Sequence, residues 1–378
     1  MGKHSLELCN GEVLFAAVLL LTGCFARAAA EKHSIIRLWK QSSRLISRSI
    51  TQNAGDHGEH YITRDKKEYW AMFYSAAGGG VLISLMALFK TYLGSIIDDK
   101  VWKGIAEGLN YGLGFIVIFM LHFTVATKQP AMTAARFAEA VEKTPQGKTV
   151  NMKLAQLLVD VFRSQSIAVL GNVLIAMGLA ALIAFGYQYK TGEPLMNTDQ
   201  IAYQLHSIDP FAGTLWFAAI AGVWLFCSGI ISGYFDNRSN YLNMRMRLAQ
   251  HPLLKKLMSE KTRVKFANYM HENYGSLIGN LCFGMLPGIT GVVGYLMHLP
   301  LDIRHVAFSS ANVGYIAVSG QFTYSLLLQC IGFVLLIGLV NLIVSFSLTL
   351  WVALRSLNAE IDSWWPIWYE VCQIVKKR

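Results

Sequence analysis

YGSLIGNLCFGMLPGITGVVGYLM (274–297), followed by HLPLDIRHVAFSSANVGYIAVSG (298–320), is the stretch whose reading decides the fold. The first part holds 24 residues without a charge, enough to cross a bilayer at about 1.5 Å of rise per residue. The second carries Asp302, Arg304 and His305 and is then uncharged for only 15 residues, Val306 to Gly320. A helix of that length reaches about 22 Å, short of the roughly 30 Å apolar layer. Its Ser, Gly and Asn content suits backbone that leaves regular helix and is covered by protein or water rather than lipid. Three readings stay open. One is a short re-entrant helix, one a tight external loop before a helix packed among its neighbours, and one an unbroken seventh crossing.

Outward from this stretch the chain is apolar. It is 54 % hydrophobic and 15 % charged over 378 residues, with mean hydropathy +0.39, whereas a soluble domain carries about 25 % charge. The fold class is therefore an all-α polytopic membrane protein. Six transmembrane helices are expected, at about 70–89, 108–126, 164–187, 213–235, 274–297 and 324–354, with the short helix at 306–320. The last span lies in 33 uncharged residues, Phe322 to Leu354, longer than one membrane thickness. The six cysteines form no CxxC pair and no metal-site spacing.

Residues 1–68 hold ten Lys or Arg against seven Asp or Glu and are expected to form a helical cytoplasmic region. Within them Val13 to Phe25 is apolar, open to reading as a cleaved lipoprotein signal, a buried helix or a short membrane-touching helix. The segment 31–50 is patterned as an amphipathic helix.

Loop charge sets the topology. Lys128 to Arg163 carries six Lys or Arg against three acids, and Asp236 to Tyr274 eight against three. The loop Gln188 to Ala212 carries one lysine against Glu193, Asp199 and Asp209. The positive-inside rule then places both termini and both basic segments in the cytoplasm of an inner (cytoplasmic) membrane. An even number of crossings also requires the short helix not to cross. Beyond Arg355 the tail, 356–378, supplies Trp364, Trp365, Trp368 and Tyr369 for the headgroup layer. No tandem repeat is found.

The candidate functional polar cluster is Asp302, Arg304 and His305 at the mouth of the short helix, with Asp236, Asn237 and Arg238 after the fourth span and Lys128 and Gln129 after the second. A carboxylate beside a guanidinium and a titratable imidazole can gate an ion or hold an anionic group; it can equally be a loop salt bridge with a capping histidine. Asn110, His122, Asn172, Asn280 and Asn341 are intramembrane polar residues, suited to interhelical hydrogen bonds or to a path. No HExxH, P-loop or dinucleotide motif occurs, so no catalytic residue, metal site or cofactor is expected.

From about Glu59 the chain resembles the bacterial membrane-protein family named "site-specific recombinase". The stretches that carry this are GEHYITRDKKEYW (58–70), FTVATKQPAMTAA (123–135), RSQSIAVLGN (163–172), SGYFDNRSNY (232–241), PLDIRHVAFSSANVG (300–314) and VSFSLTLWVALR (344–355). The resemblance implies a longer protein with a helical cytoplasmic region before the membrane part, of which this chain is the C-terminal half. It brings no established mechanism. A tyrosine recombinase needs a nucleophilic Tyr and several cations converging on one phosphate. Tyr234, Arg238 and Tyr241 are on the cytoplasmic side without a β-rich catalytic domain around them, so DNA recombination is not the expected activity and nucleic acid not an expected partner. The expectation is membrane transport or lipid handling, with a membrane scaffold or assembly partner as the alternative. The partners expected are membrane lipids and, on the cytoplasmic face, a protein or the missing N-terminal region.

Overall fold

The computed structural model describes residues 62–63, 65–126, 133–134, 137, 140–141, 148–319, 322–357, 361 and 363–377. The expectations for residues 1–61, and for Lys128 and Gln129, lie outside the described residues. Among those described, the chain is helices and loops without a strand. In order the helices are α1 (Lys66–Ile96), α2 (Lys100–Met120), α3 (Lys148–Thr191), α4 (Thr198–Ile208), α5 (Thr214–Tyr241), α6 (Met244–Gln250), α7 (Pro252–Leu257), α8 (Glu260–Met297), α9 (Val306–Ala317), α10 (Tyr324–Leu357) and α11 (Trp365–Lys377).

Local chemistry sets several of the boundaries. Asp65 accepts from Glu68 N–H (2.7 Å) to start α1, and Asp99 accepts from Val101 and Trp102 N–H to start α2. Asn197 and Gln200 form a reciprocal capping box on α4. Both α2 and α8 give way to a histidine in the left-handed region, His122 (φ 57°) and His298 (φ 52°). For α2 this corrects the expected span: the helix stops at Met120, and residues 123–125 are not helical.

Among the described residues, five helices are long and apolar enough to cross a membrane: Lys66–Ile96, Met152–Thr191, Thr214–Tyr241, Glu260–Met297 and Tyr324–Arg355. The expected sixth, α2, carries Lys103, Glu107 and Asn110 in its 21 residues and falls outside that set. The short element is shorter than expected, 12 residues from Val306 to Ala317, and nine of them are buried.

The two halves are built alike. In the first, Asn172 of α3 accepts from Ala126 N–H (2.8 Å) and donates to Thr124 O (2.9 Å) and to Ala76 O of α1 (2.6 Å). In the second, Asn341 of α10 accepts from Val306 N–H (3.2 Å) and donates to Arg304 O (3.0 Å) and to Ala218 O of α5 (2.7 Å). Thr124 N–H bonds to Ser75 O, and Arg304 N–H to Phe217 O, each acceptor one residue before the alanine just named. A Cβ added at Gly80 would meet Asn172 O and Ile175; one at Gly222 would meet Asn341 O and Val344. Thus α1–α2–α3 corresponds to α5–α8–α10, and each half has a stretch of non-helical backbone held by one buried asparagine. Apolar surroundings make that arrangement necessary, because an unpaired buried N–H or C=O costs about 1–3 kcal/mol.

The corresponding helices α2 and α8 cross each other antiparallel. Gly104 faces Gly288 and Val292, while Gly112 faces Leu281 and Met285. At the crossing a side chain on Gly284 would enter the backbone of Gly112, and one on Gly288 would lie 2.9 Å from Gly108 Cα. Glycine four residues apart on both helices lets the backbones touch. The repeat is therefore inverted. The short elements are exchanged between halves. Gly314 of α9 packs on Met177 and Ala180 of α3. In the first half, helical Ala134 and Phe137 share a buried cluster with Leu350 and Ala353 of α10 and Ile367 of α11.

Candidate functional site

A cavity of about 660 Å³ opens beside the C-terminal end of α8. Its walls are the end of α1 (Lys90, Gly94), the first turns of α2 (Lys100, Lys103, Glu107, Tyr111), α4 (Asp199, Tyr203) and α8 (Pro287, Tyr295). Its floor is Asp302 to His305 together with Phe308, Ser309 and Asn312 of α9. His305, Ser309 and Asn312 are four and three residues apart, so they share one face of the short helix. The hydroxyl of Ser309 and the amide of Asn312 have no protein partner among the described residues. Phe308 packs tilted against Tyr111, ring centroids 4.2 Å apart, and the buried His305 ring sits among Phe115, Phe283 and Phe308 at 6.5, 5.8 and 5.7 Å.

Charge in the cavity is largely matched. Lys90 pairs with Glu107 at 3.3 Å and lies over the Tyr111 ring. Arg304 pairs with Asp302 at 2.5 Å. Arg304 is also a structural tie: its Nε–H donates to Ser207 O (2.8 Å), Nη1 donates to Ile303 O (3.0 Å), and the guanidinium lies 5.6 Å from the Phe217 ring. Lys100 lies over Tyr295, and Lys103 donates to Gly94 O.

The expected site residues do not form one group. Asp302, Arg304 and His305 meet at the cavity floor, and Asn341 holds the backbone there. Val306 N–H is bonded to Asn341, which stands at the middle of the uncharged run of α10. The cluster is therefore level with mid-helix rather than with a helix end. Asp236 is elsewhere, accepting from Gly275 N–H (2.8 Å) to tie α5 to α8. Asn237 is half-buried and Arg238 exposed on the turns that follow. Asn110 donates to Met86 O of α1 (2.9 Å), and Asn280 to Ser276 O of its own helix (2.7 Å). His122 lines a second cavity of about 440 Å³, with Ser75, Phe123 and Thr124.

Sequence reasoning missed Lys90 as a partner of Glu107, and it missed Tyr111 and the face of Ser309 and Asn312. One signal existed: Lys90 and Glu107 are opposite charges equally far in sequence from the Asp98–Asp99 turn, which an antiparallel helical hairpin brings together.

A family model described as "Site-specific recombinase" matches residues 10–378. The chain belongs to that family. No curated protein and no solved structure is significantly similar to it. In this member of the site-specific recombinase family, Tyr234 and Tyr241, at the start of the basic segment, are exposed on the last turns of α5, at 53 % and 87 %. Among the described residues no three His, Cys, Asp or Glu side chains converge as a metal site.

Proposed function

We propose that the chain is a bacterial inner-membrane transport protein that moves a small polar solute through the cavity above α9. The crossings are α1, α2, α3, α5, α8 and α10, with both termini in the cytoplasm. The segment 298–305 and α9 form a re-entrant hairpin. The observation that carries this reading is the cavity itself, which reaches Asp302, Arg304 and the polar face of a buried helix too short to span. Non-helical backbone and ionisable groups beside the middle of an apolar helix are tolerated where they line a water-filled path. Sealed apolar packing at this place would instead have favoured a scaffold. The aromatic walls and paired charges suit a small solute with both polar and apolar parts. No nucleophile surrounded by convergent cations supports strand exchange among the described residues.

The test is uptake by purified protein in liposomes, with a panel of labelled amino acids, carboxylates, sugars and phosphate. At least one class should accumulate or exchange faster than in empty liposomes, and Asn312→Leu, which fills the floor, should abolish it while the protein still folds. Uptake equal to that of empty liposomes across the panel, with Asn312→Leu altering only stability, would point to the scaffold.

A further inference from the structure

The two halves correspond, yet at one end the corresponding helices are bridged by long side chains and at the other they pack backbone to backbone. At the cavity, Lys90 and Gly94 of α1 and Lys103 of α2 line the opening, where lysine side chains rather than backbones bridge the two helices: Lys103 Nζ donates to Gly94 O and Lys90 pairs with Glu107. The corresponding positions on the opposite end of the molecule are Ser232 and Asp236 of α5 and Gly279 of α8. There the helices touch. A Cβ on Gly279 would lie 2.9 Å from Ser232 Cβ, Asp236 accepts from Gly275 N–H, and Ser239 Oγ is 3.0 Å from His271 Nδ1. Ser228, Ser232, Asp236 and Ser239 recur once per turn along this seam, the first three against Gly275 and Gly279 and the last against His271.

We infer that the α5–α8 seam from Ser232 to Ser239 is the second mouth of the solute path, closed in this structure, and that it opens when the α1–α2 mouth at Lys90 and Lys103 closes. The inference rests on the transport reading above. An inverted repeat can exchange the conformations of its halves because each half already occupies one of the two packings. The seam is chemically suited to parting. Its serine hydroxyls, the Asp236 carboxylate and the His271 imidazole can take water when separated, which an interlocked leucine seam could not do at comparable cost. The α2–α8 crossing through Gly108, Gly112, Gly284 and Gly288 stays in place as the pivot, its backbones already in contact.

The experiment labels Asn312→Cys with a membrane-impermeant maleimide in right-side-out and inverted vesicles, over the background of the unchanged protein. Thr198→Cys and Ser259→Cys, at opposite ends of the molecule, calibrate the faces. Asn312→Cys should react from both faces. Adding Ser232→Cys and Gly279→Cys, then oxidising, should cut labelling from the Ser259 face at least tenfold and leave the Thr198 face unchanged; reduction should restore it. Disulfides need a Cβ separation of about 3.5–4.5 Å, so this pair needs only a small parting of the helices. If Gly279→Cys does not fold, Ser239→Cys with His271→Cys locks the same seam without replacing a glycine. Labelling of Asn312→Cys from the Thr198 face alone, or labelling from the Ser259 face that the oxidised lock leaves unchanged, overturns the inference. Two-sided labelling that responds to the lock, in a protein that moves no solute, would leave the gate standing and sink the transport reading. Solute uptake with one-sided labelling would do the reverse.

Discussion

Single residues carry the irregular parts of this fold. Asn172 and Asn341 each satisfy three backbone groups that would otherwise be buried unpaired. Replacing either by Leu orphans at least one N–H and one C=O, a loss of about 2–5 kcal/mol. Both variants should therefore lower the thermal midpoint in detergent by similar amounts. Asn110→Leu, which gives up one bond, should lower it less. A silent Asn341→Leu beside a collapsed Asn172→Leu would contradict the equivalence of the halves. Arg304 calls for a different measurement, since it is both tie and cavity wall. Asp302 is 41 % exposed, so their ion pair alone is worth about 1 kcal/mol or less. The bond from Arg304 to Ser207 O makes Arg304→Ala costlier than Asp302→Ala, with the double mutant close to Arg304→Ala in stability. Unchanged stability with lost uptake in Arg304→Ala would move this residue from tie to ligand. The polar residues in apolar runs were legible in the sequence. Their partners were not, because those are backbone groups freed only where another helix ends.

At the level of elements, the sequence showed most helices and misplaced one end. Residues 108–126 have the composition of a span, but His122 takes a left-handed conformation and Asn172 captures Thr124 and Ala126, so the last third is not helix. Hydropathy cannot see this, because Phe123, Val125 and Ala126 are as apolar outside an α-helix as within one. The short helix was visible from its length. That its start, rather than its end, lies beside the middle of α10 was not, since nothing in 298–320 identifies Asn341 as the partner of Val306. On the proposed topology, α4 and the start of α8 lie on opposite sides of the membrane. Thr198→Cys should react with impermeant reagent from outside intact cells, and Ser259→Cys only after the membrane is opened. The reversed pattern at both positions would invert the proposed topology; reaction of both from outside would remove one of the six crossings.

Residues 66–357 form an inverted pair of halves, and the sequence hides this. The correspondence is carried by Ala76, Ala77, Gly80 and Val81 against Ala218, Ala219, Gly222 and Val223, by the two asparagines, by His122 against His298, and by two glycine pairs at the α2–α8 crossing. Between these anchors the residues differ, because a membrane helix needs specific atoms only where backbones meet and elsewhere needs only apolar bulk. Net charge is likewise a property of the whole. At +10 the protein has the sign for nucleic acid, and the family description names recombination. Much of that charge is in Asp236 to Tyr274, where α6, α7 and the start of α8 present Arg245, Arg247, Lys255, Lys256, Lys261 and Lys265 on one basic stretch. Binding through such a stretch alone is counterion release, so affinity for duplex DNA should fall steeply and linearly in log–log with salt and should not depend on sequence. Strand exchange would add two things this mechanism lacks, a sequence-selective component that survives high salt and a covalent tyrosyl–DNA adduct. Purified protein titrated with fluorescent duplexes of different sequence, from low to high salt, should give one common curve that vanishes at high salt. Trapping on nicked suicide substrates should leave Tyr234 and Tyr241 unmodified. A selective complex at high salt, or an adduct lost in Tyr241→Phe, would restore recombination as the activity and reduce the cavity to a structural feature.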